Sequence, residues 1–189
     1  MDPEKAGTVI KVQGAALAVR DAAARTLEPG TPVYVDDVLS TGPEARLRLE
    51  MVDGGIFTLG ARTSFTVLHP SLPGADRAPG VVRLLQGAFN ATTGAADALT
   101  VETEVATVGV RGTAFWVGPL DNHPGLLHVG HWRGGGVEVS TEGGSVAFSG
   151  ENFGTDILSA EAAPATPMFW PPAMAAAAHA QTRFDDETE

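Results

Sequence analysis

The chain has no cysteine among its 189 residues. This absence excludes thiol nucleophiles, disulfide bonds and cysteine-ligated zinc sites together. A chain of this length buries enough of its surface on folding to need neither a disulfide nor a structural metal. We therefore expect a fold that a hydrophobic core alone stabilises.

Basic residues are scarce as well. The sequence holds 12 Lys and Arg against 23 Asp and Glu, for a net charge of −11. Nucleic acids and anionic membrane surfaces are bound through clustered cations, so the sign of the charge disfavours both as partners. We interpret the acidity as a solubility feature; the alternative is the binding of a divalent cation or a cationic partner.

Long apolar segments are absent too. No segment reaches the length of about 18 apolar residues that a membrane-spanning helix needs. The first residues, Met1 to Ala6, contain neither the basic region nor the apolar region of a signal peptide. The residues alone leave open whether Met1 is the native start and in which compartment the protein works.

Short apolar segments separated by Gly, Pro and Asp fill residues 7 to about 150. The segment 46–51 alternates charged and apolar residues, which is typical of a strand with one buried face. Asp53-Gly54 is a strong hairpin signal. Residues 69–80 hold three prolines and are predicted to form a surface loop. The pattern predicts an all-β fold: a sandwich, a roll or a short β-solenoid of many short strands.

The composition changes after residue 158. Residues 159–181 are rich in Ala and Pro, and the chain ends in an acidic segment from Asp185 to Glu189. We predict a β domain over 1–158 and a Pro/Ala-rich tail over 159–189, with a short helix over 173–181. The acidic end is expected to be solvated and to contribute little to packing or binding.

Phe169 and Trp170 lie in this tail between prolines. Large aromatic side chains are costly to leave in water. Two interpretations stay open. In one, the two residues fold back in cis and cover an open edge of the β core; in the other, they dock onto a partner, where Trp anchors carry much of the binding energy.

Three histidines and three aspartates are candidate metal ligands by residue type alone. His128 and His131 would point to opposite faces of a strand, so we interpret them, with His123, as packing or solvated residues. Asp36, Asp37 and Asp53 match no calcium-loop spacing and are interpreted as turn residues.

Catalytic motifs are missing from the sequence. No Gly-x-Ser-x-Gly motif, phosphate loop or dinucleotide fingerprint occurs, and no nucleophile is paired with a base. We therefore predict that the chain is not an enzyme, and we assign it no catalytic residue, no cofactor and no metal.

One motif carries an identification. Residues 103–117 read Thr-Glu-Val-Ala-Thr-Val-Gly-Val-Arg-Gly-Thr-Ala-Phe-Trp-Val. This segment resembles the signature of the FecR domain family at Thr103, Ala106, Val110, Arg111, Gly112, Thr113, Phe115 and Val117. Upstream features occur in the family's order: Gly30, Asp37, Thr41-Gly42, the Asp53-Gly54 hairpin with Leu59 and Ser64, and the segment 84–89. The resemblance covers about residues 7–118 and extends weakly to 158.

The resemblance implies an extracytoplasmic, periplasmic or extracellular β module that binds other proteins, as a scaffold or as a subunit of a bacterial envelope assembly. The best-known family members control a cytoplasmic sigma factor through an N-terminal segment and a membrane-spanning helix. The sequence in hand shows neither, so we do not expect sigma-factor control to carry over.

Four residues are predicted to contact a protein partner: Arg111, Trp132, Phe169 and Trp170. For Arg111 a structural role is the alternative, with its guanidinium satisfied by Glu102, Glu104 or backbone carbonyls. The alternative function is a carbohydrate- or peptidoglycan-binding module. It would use Tyr34, Trp116 or Trp132 as stacking platforms.

Overall fold

Two nine-stranded β-sheets make up the protein in the computed structural model, which describes residues 3–70, 79–94 and 98–188. The predicted all-β class is confirmed, and of the three predicted architectures the sandwich is the one observed. In chain order the elements are β1 (Lys5–Gln13), β2 (Ala16–Arg20), β3 (Ala23–Thr26), β4 (Pro32–Tyr34), β5 (Val38–Thr41), β6 (Arg46–Met51), β7 (Ile56–Leu59), β8 (Ser64–His69), β9 (Gly80–Gln86), β10 (Phe89–Thr92), β11 (Ala98–Glu102), β12 (Thr107–Arg111), β13 (Thr113–Gly118), β14 (Leu127–Gly134), β15 (Val137–Thr141), β16 (Gly144–Phe148), β17 (Phe153–Ile157), β18 (Met168–Phe169) and α1 (Pro172–Thr182).

Strand order follows chain order in both sheets except at the first edge, where β4 lies outside β1 and β3 lies outside β2. The first sheet runs β4-β1-β6-β7-β10-β13-β14-β17-β18, and the second runs β3-β2-β5-β8-β9-β11-β12-β15-β16. Neighbouring strands are antiparallel apart from the parallel pair β9–β11. The chain therefore advances along the sandwich, with its early strands at one end and its late strands at the other.

The core lies between the two sheets because each strand alternates apolar and polar side chains. In β6 the apolar residues Leu47, Leu49 and Met51 are buried, and the intervening charged residues Arg48 and Glu50 are less so. Burying one face of each sheet against the other is the stable solution for two such layers. Four phenylalanines fill the centre, with neighbouring ring centroids 5.1 to 6.1 Å apart: Phe57, Phe65, Phe89 and Phe115.

The tail contributes the single helix of the described residues. Pro172 occupies the first turn, where a missing N–H costs nothing, and an alanine run favours helix thereafter. The observed helix, Pro172–Thr182, agrees with the predicted 173–181 within two residues. Its Ala178 is buried against the outer face of the first sheet, so tertiary packing supports a helix that would be marginal alone.

The predicted surface loop over 69–80 falls mostly on residues 71–78, which lie outside the described residues. His69 ends β8 and Gly80 begins β9. None of the helical structure described is long and apolar enough to cross a membrane.

Candidate functional site

Two glycines, Gly130 and Gly154, leave a flat patch on the outer face of the first sheet, which we call the seat. Trp116 of β13, Gly130 of β14 and Gly154 of β17 are direct neighbours across the strands. The indole of Trp170 lies on this row. A Cβ atom added at Gly130 would come within 2.7 Å of the indole, and one at Gly154 within 2.3 Å. The two glycines are therefore the residues that let Trp170 approach the backbone.

Trp170 closes an aromatic cluster on this face. It is 1% exposed and packs edge-on against Trp116 and Trp132, with centroid distances of 6.1 and 5.8 Å. Its backbone N–H donates to the carbonyl of Asn152 at 2.7 Å. In this structure Trp170 thus packs in cis, inside the protein.

We call residues 170–187 the strap, because they run from this seat back to the opposite end of the first sheet. Phe184 is 1% exposed and lies between two cations, with Lys11 Nζ 4.4 Å and the Arg48 guanidinium carbon 4.8 Å from its ring centroid. Arg46 donates to the carbonyls of Ala180 and Arg183 at 3.2 and 3.1 Å. These contacts fix the distal end of the strap on β1 and β6.

The acidic end is tied to the sheet by ion pairs. Arg48 donates to both carboxylate oxygens of Glu187 at 2.6 and 3.1 Å, and Lys11 Nζ lies 2.6 Å from Asp186. The hydrogen bonds from Arg48 lower the pKa of Glu187 to about 2. The expectation of a solvated acidic end without packing was wrong, since these ion pairs hold the end on the sheet. The local sequence could not reveal them, because the partners lie more than a hundred residues away in sequence.

Asp37 is a buried anchor that sequence reasoning did not separate from its neighbours. It is fully buried, and both of its carboxylate oxygens accept hydrogen bonds from the guanidinium of Arg25. It also accepts a hydrogen bond from the N–H of Tyr34 at 2.7 Å. The side chain of Asp53 accepts the N–H of Gly55 at 2.8 Å, as a turn aspartate does. The Asp37 carboxylate is therefore paired with Arg25 of the protein itself.

The histidines are packing residues. His128 lies on the outer face, with Nδ1 2.7 Å from Asp156 and its ring 6.3 Å from Trp170. His131 is paired across the strand with Phe115, so it shares the inner face, and its Nδ1 lies 2.8 Å from the carbonyl oxygen of Gly150. The described segments contain no cluster of three potential metal ligands.

Most of the signature motif shapes the backbone. Gly112 adopts a positive φ of 58°, which permits the corner between β12 and β13. The hydroxyl of Thr113 donates to the carbonyl of Arg111 at 2.8 Å and accepts the N–H of Gly136 at 3.2 Å. Thr103 accepts the N–H of Ala106 at 2.9 Å and so closes a second turn.

Arg111 is the exception, because its side chain is exposed. The expected pair with Glu102 is not formed: Glu102 accepts instead from Arg83 at 2.6 Å. The strands explain this, since Arg111 lies opposite Ala98 at the far end of β11 from Glu102. Glu104 does not pair with Arg111 either within the described part of the chain.

Arg111 borders a shallow groove of about 650 Å³ on the outer face of the second sheet. Its floor is a cross-strand row of Thr100, Gly109, Glu138 and Ala147, in which every side chain except that of Glu138 is short. Space above Gly109 is open, with no atom within 4 Å of a Cβ built there. The helix lies on the first sheet, so this face has no helical cover.

The other predicted contact residues are placed differently. Phe169 is 52% exposed at the edge strand β18 and packs one side against Phe153 at 6.0 Å. Trp132 is half-buried and stacks on His179 at 4.2 Å. The structure therefore leaves Phe169 and Arg111 accessible, and it covers Trp132 in part and Trp170 almost wholly.

The three stacking platforms of the carbohydrate alternative are covered to different degrees. Trp116 is fully buried, and a sugar cannot reach it in this structure. Tyr34 and Trp132 are half-buried, with Arg20 and Arg25 over the Tyr34 ring and His179 stacked on the Trp132 ring.

Comparisons with known proteins agree with the motif. The family model described as FecR protein matches residues 37–147. Two crystal structures of a protein from Parabacteroides distasonis ATCC 8503, provisionally described as an anti-sigma factor, share the fold with a TM-score of 0.52 and 21% sequence identity. The alignment covers 63% of this chain and 53% of that protein, so this chain spans about half of its length. No curated protein matches the chain.

Proposed function

Because the chain belongs to the FecR family, we propose that it is a non-catalytic module that binds a protein partner in the bacterial cell envelope. The family match rests on the segment that contains the signature motif. The proposed location is the periplasm or the cell surface, and the module acts there as a scaffold or as a subunit of a larger assembly.

The exposed side chain of Arg111 is the observation that carries this proposal. The other motif residues named above are buried or hydrogen-bonded within the fold, whereas Arg111 extends beside an open groove without an ion pair among the described residues. A guanidinium presents five donors in a fixed fork that matches a carboxylate. The partner is therefore a protein that presents an acidic side chain to the second sheet.

The shape of the groove supports a protein contact. The space above Gly109 on its floor is open, so an extended segment can approach the backbone of β12 closely there. Glu138 lies on the neighbouring strand β15, directly across from Gly109, and adds one anionic side chain to the groove. A bound segment would thus be oriented by charge as well as by shape.

The test compares two exposed arginines. Purified wild type, Arg111→Ala and Arg133→Ala are immobilised and exposed to an envelope extract, and the captured proteins are quantified by mass spectrometry. Arg133 is the matched control because it is also exposed and has no ion pair within the described segments. We expect one protein to be retained by the wild type and the control. Its capture by Arg111→Ala should fall on the order of tenfold or more, the cost of a charge-assisted hydrogen bond.

Equal capture by Arg111→Ala and the wild type would remove Arg111 from the interface. Retention of polysaccharide in place of protein would favour the alternative function, a carbohydrate- or peptidoglycan-binding module.

A further inference from the structure

A second recess lies on the opposite face of the molecule, between the strap and the first sheet. It is a cleft of about 570 Å³, within the range of small-molecule sites. Its floor is a polar ladder of direct cross-strand neighbours, Arg48, Thr58 and Asn90. Helix α1 forms the roof, and Phe169 and Trp170 form one end wall.

Two amide side chains in the cleft have no hydrogen-bond partner among the described residues. Asn90 on the floor and Asn152 beside Phe169 both line the recess, and neither side chain hydrogen-bonds to a described residue. Each amide offers two donors and one acceptor. They stand on different walls, so a ligand between them could be bonded from two sides.

Two of the charged groups in the cleft are paired with each other. Arg48 donates to both carboxylate oxygens of Glu187, and Arg183 at the rim has an interaction of its own. Partial burial lowers the pKa of His179, and the nearby Arg183 lowers it further; both effects favour the neutral imidazole, which offers one donor and one acceptor. An anionic ligand at Arg48 would therefore compete with Glu187, and a cationic ligand at Glu187 would compete with Arg48.

The aromatic end wall adds an apolar surface. Phe169 is half exposed, and its free side is available for the carbon–hydrogen face of a ring. The combination of unpaired amides, an uncharged imidazole and an exposed aromatic ring matches a compact molecule that is rich in hydroxyl groups and carries no charge.

We infer that this cleft binds a neutral saccharide, with Asn90 and Asn152 bonding its hydroxyls and Phe169 contacting its ring. This site uses none of the three aromatic platforms that the sequence suggested. It lies on the first sheet, so it is independent of the Arg111 groove and of the protein partner proposed above.

The test titrates the full chain with three probes: cellobiose as the neutral sugar, glucuronic acid as the anion and glucosamine as the cation. Backbone amide signals are followed by two-dimensional NMR. We expect cellobiose alone to shift signals of residues in β7, β10 and α1, with saturation below about 10 mM, the concentration range of a weak site.

The variants Asn90→Ala and Asn152→Gly should each weaken cellobiose binding roughly tenfold, the effect of losing one or two neutral hydrogen bonds. Glycine is chosen at position 152 because Asn152 has a positive φ of 58°, which glycine adopts without strain. Asn122→Ala is the matched control, because Asn122 is exposed in the turn after β13, away from the cleft.

Three outcomes would overturn the inference. They are the absence of shifts in the cleft with cellobiose, equal or larger shifts with a charged probe, and unchanged affinity in both asparagine variants that retain the wild-type melting temperature. Loss of cellobiose binding in Arg111→Ala would instead place the sugar in the other groove. Capture of a protein partner through Arg111 is unaffected by any of these results.

Discussion

Single glycines decide where the strap lies. Glycine usually weakens a strand, because it adds conformational entropy to the unfolded chain and offers no side chain to pack. Gly130 and Gly154 reverse this effect, since the missing Cβ atoms make room for the indole of Trp170. In a sequence, glycine is normally interpreted as a turn signal. That interpretation misses Gly130 and Gly154, which lie within strands and make room for an indole ring.

The substitution Gly154→Ala adds one methyl group beneath Trp170 and tests whether the indole needs a glycine there. The new Cβ would lie 2.3 Å from the Trp170 ring, so either the indole leaves or the strand shifts. We expect a loss of about 1–3 kcal/mol in the free energy of unfolding, the usual cost of overpacking. All three tryptophans of the chain lie in this cluster, so displacement should also shift the intrinsic fluorescence to longer wavelength.

Gly109→Ala is the matched control for this experiment. Gly109 also lies within a strand, has an ordinary φ, and a Cβ atom added there would have no other atom within 4 Å. Its substitution should leave both the stability and the fluorescence close to those of the wild type. Similar losses for the two variants would mean that strand entropy, and not the Trp170 contact, explains the effect.

At the scale of elements, the strap is held by one apolar end and one ionic end. The ionic end predicts a pH dependence. The carboxyl of Glu187 has a pKa of about 2 in the folded protein against an ordinary value of 4.5. A lowered folded-state pKa contributes stability that is fully present above 4.5 and is lost as the pH falls towards 2.

Glu187→Gln should therefore lower the melting temperature at pH 7, and the difference from the wild type should shrink between pH 4.5 and pH 2. The measurement is thermal unfolding at a series of pH values in low salt, because part of this pair is solvent-exposed and is screened by ions. Glu50→Gln is the control, since Glu50 is exposed in β6 and has no ion pair among the described residues. A constant gap across this pH range would show that Glu187 acts through packing alone.

Local elements were predictable from sequence and their long-range contacts were not. The alternation in β6, the Asp53-Gly54 hairpin and the alanine-rich helix depend on neighbouring residues, and all three are observed. The Arg48–Glu187 pair joins residues 139 positions apart, and nothing in the local pattern selects that partner. The expected pair of Arg111 with Glu102 was wrong for a similar reason. Proximity in sequence does not tell which end of β11 lies beside the arginine.

At the scale of the whole molecule, the strap joins two ends of the sandwich that the strand order keeps apart. The first sheet begins with β4 and β1 and ends with β17 and β18, and the strap spans from Gly154 of β17 to Lys11 of β1. The all-β class followed from the strand pattern, which left sandwich, roll and solenoid open. The return of the tail over the outer face did not, because Trp170 and Phe184 are apolar residues that either a partner or the protein's own sheet could cover.

Deletion of residues 164–189 separates these two possibilities. If the tail is part of the fold, the deletion exposes the faces now covered by Trp170 and Phe184, which are each 1% exposed. Burial of one large aromatic side chain stabilises a protein by roughly 1.5–3 kcal/mol, so the melting temperature should fall by several degrees. Loss of β18 also opens the edge of β17, and concentration-dependent aggregation should follow, visible by light scattering.

The double variant Trp170→Ala, Phe184→Ala keeps the chain length and serves as the companion measurement. It should reproduce most of the loss in melting temperature, because it removes the two apolar anchors and leaves the edge strand β18 in place. It should aggregate less than the deletion for the same reason. An unchanged melting temperature in both proteins, together with lost capture of the envelope partner, would show that the tail serves binding in trans and that its docked position adds little to the fold.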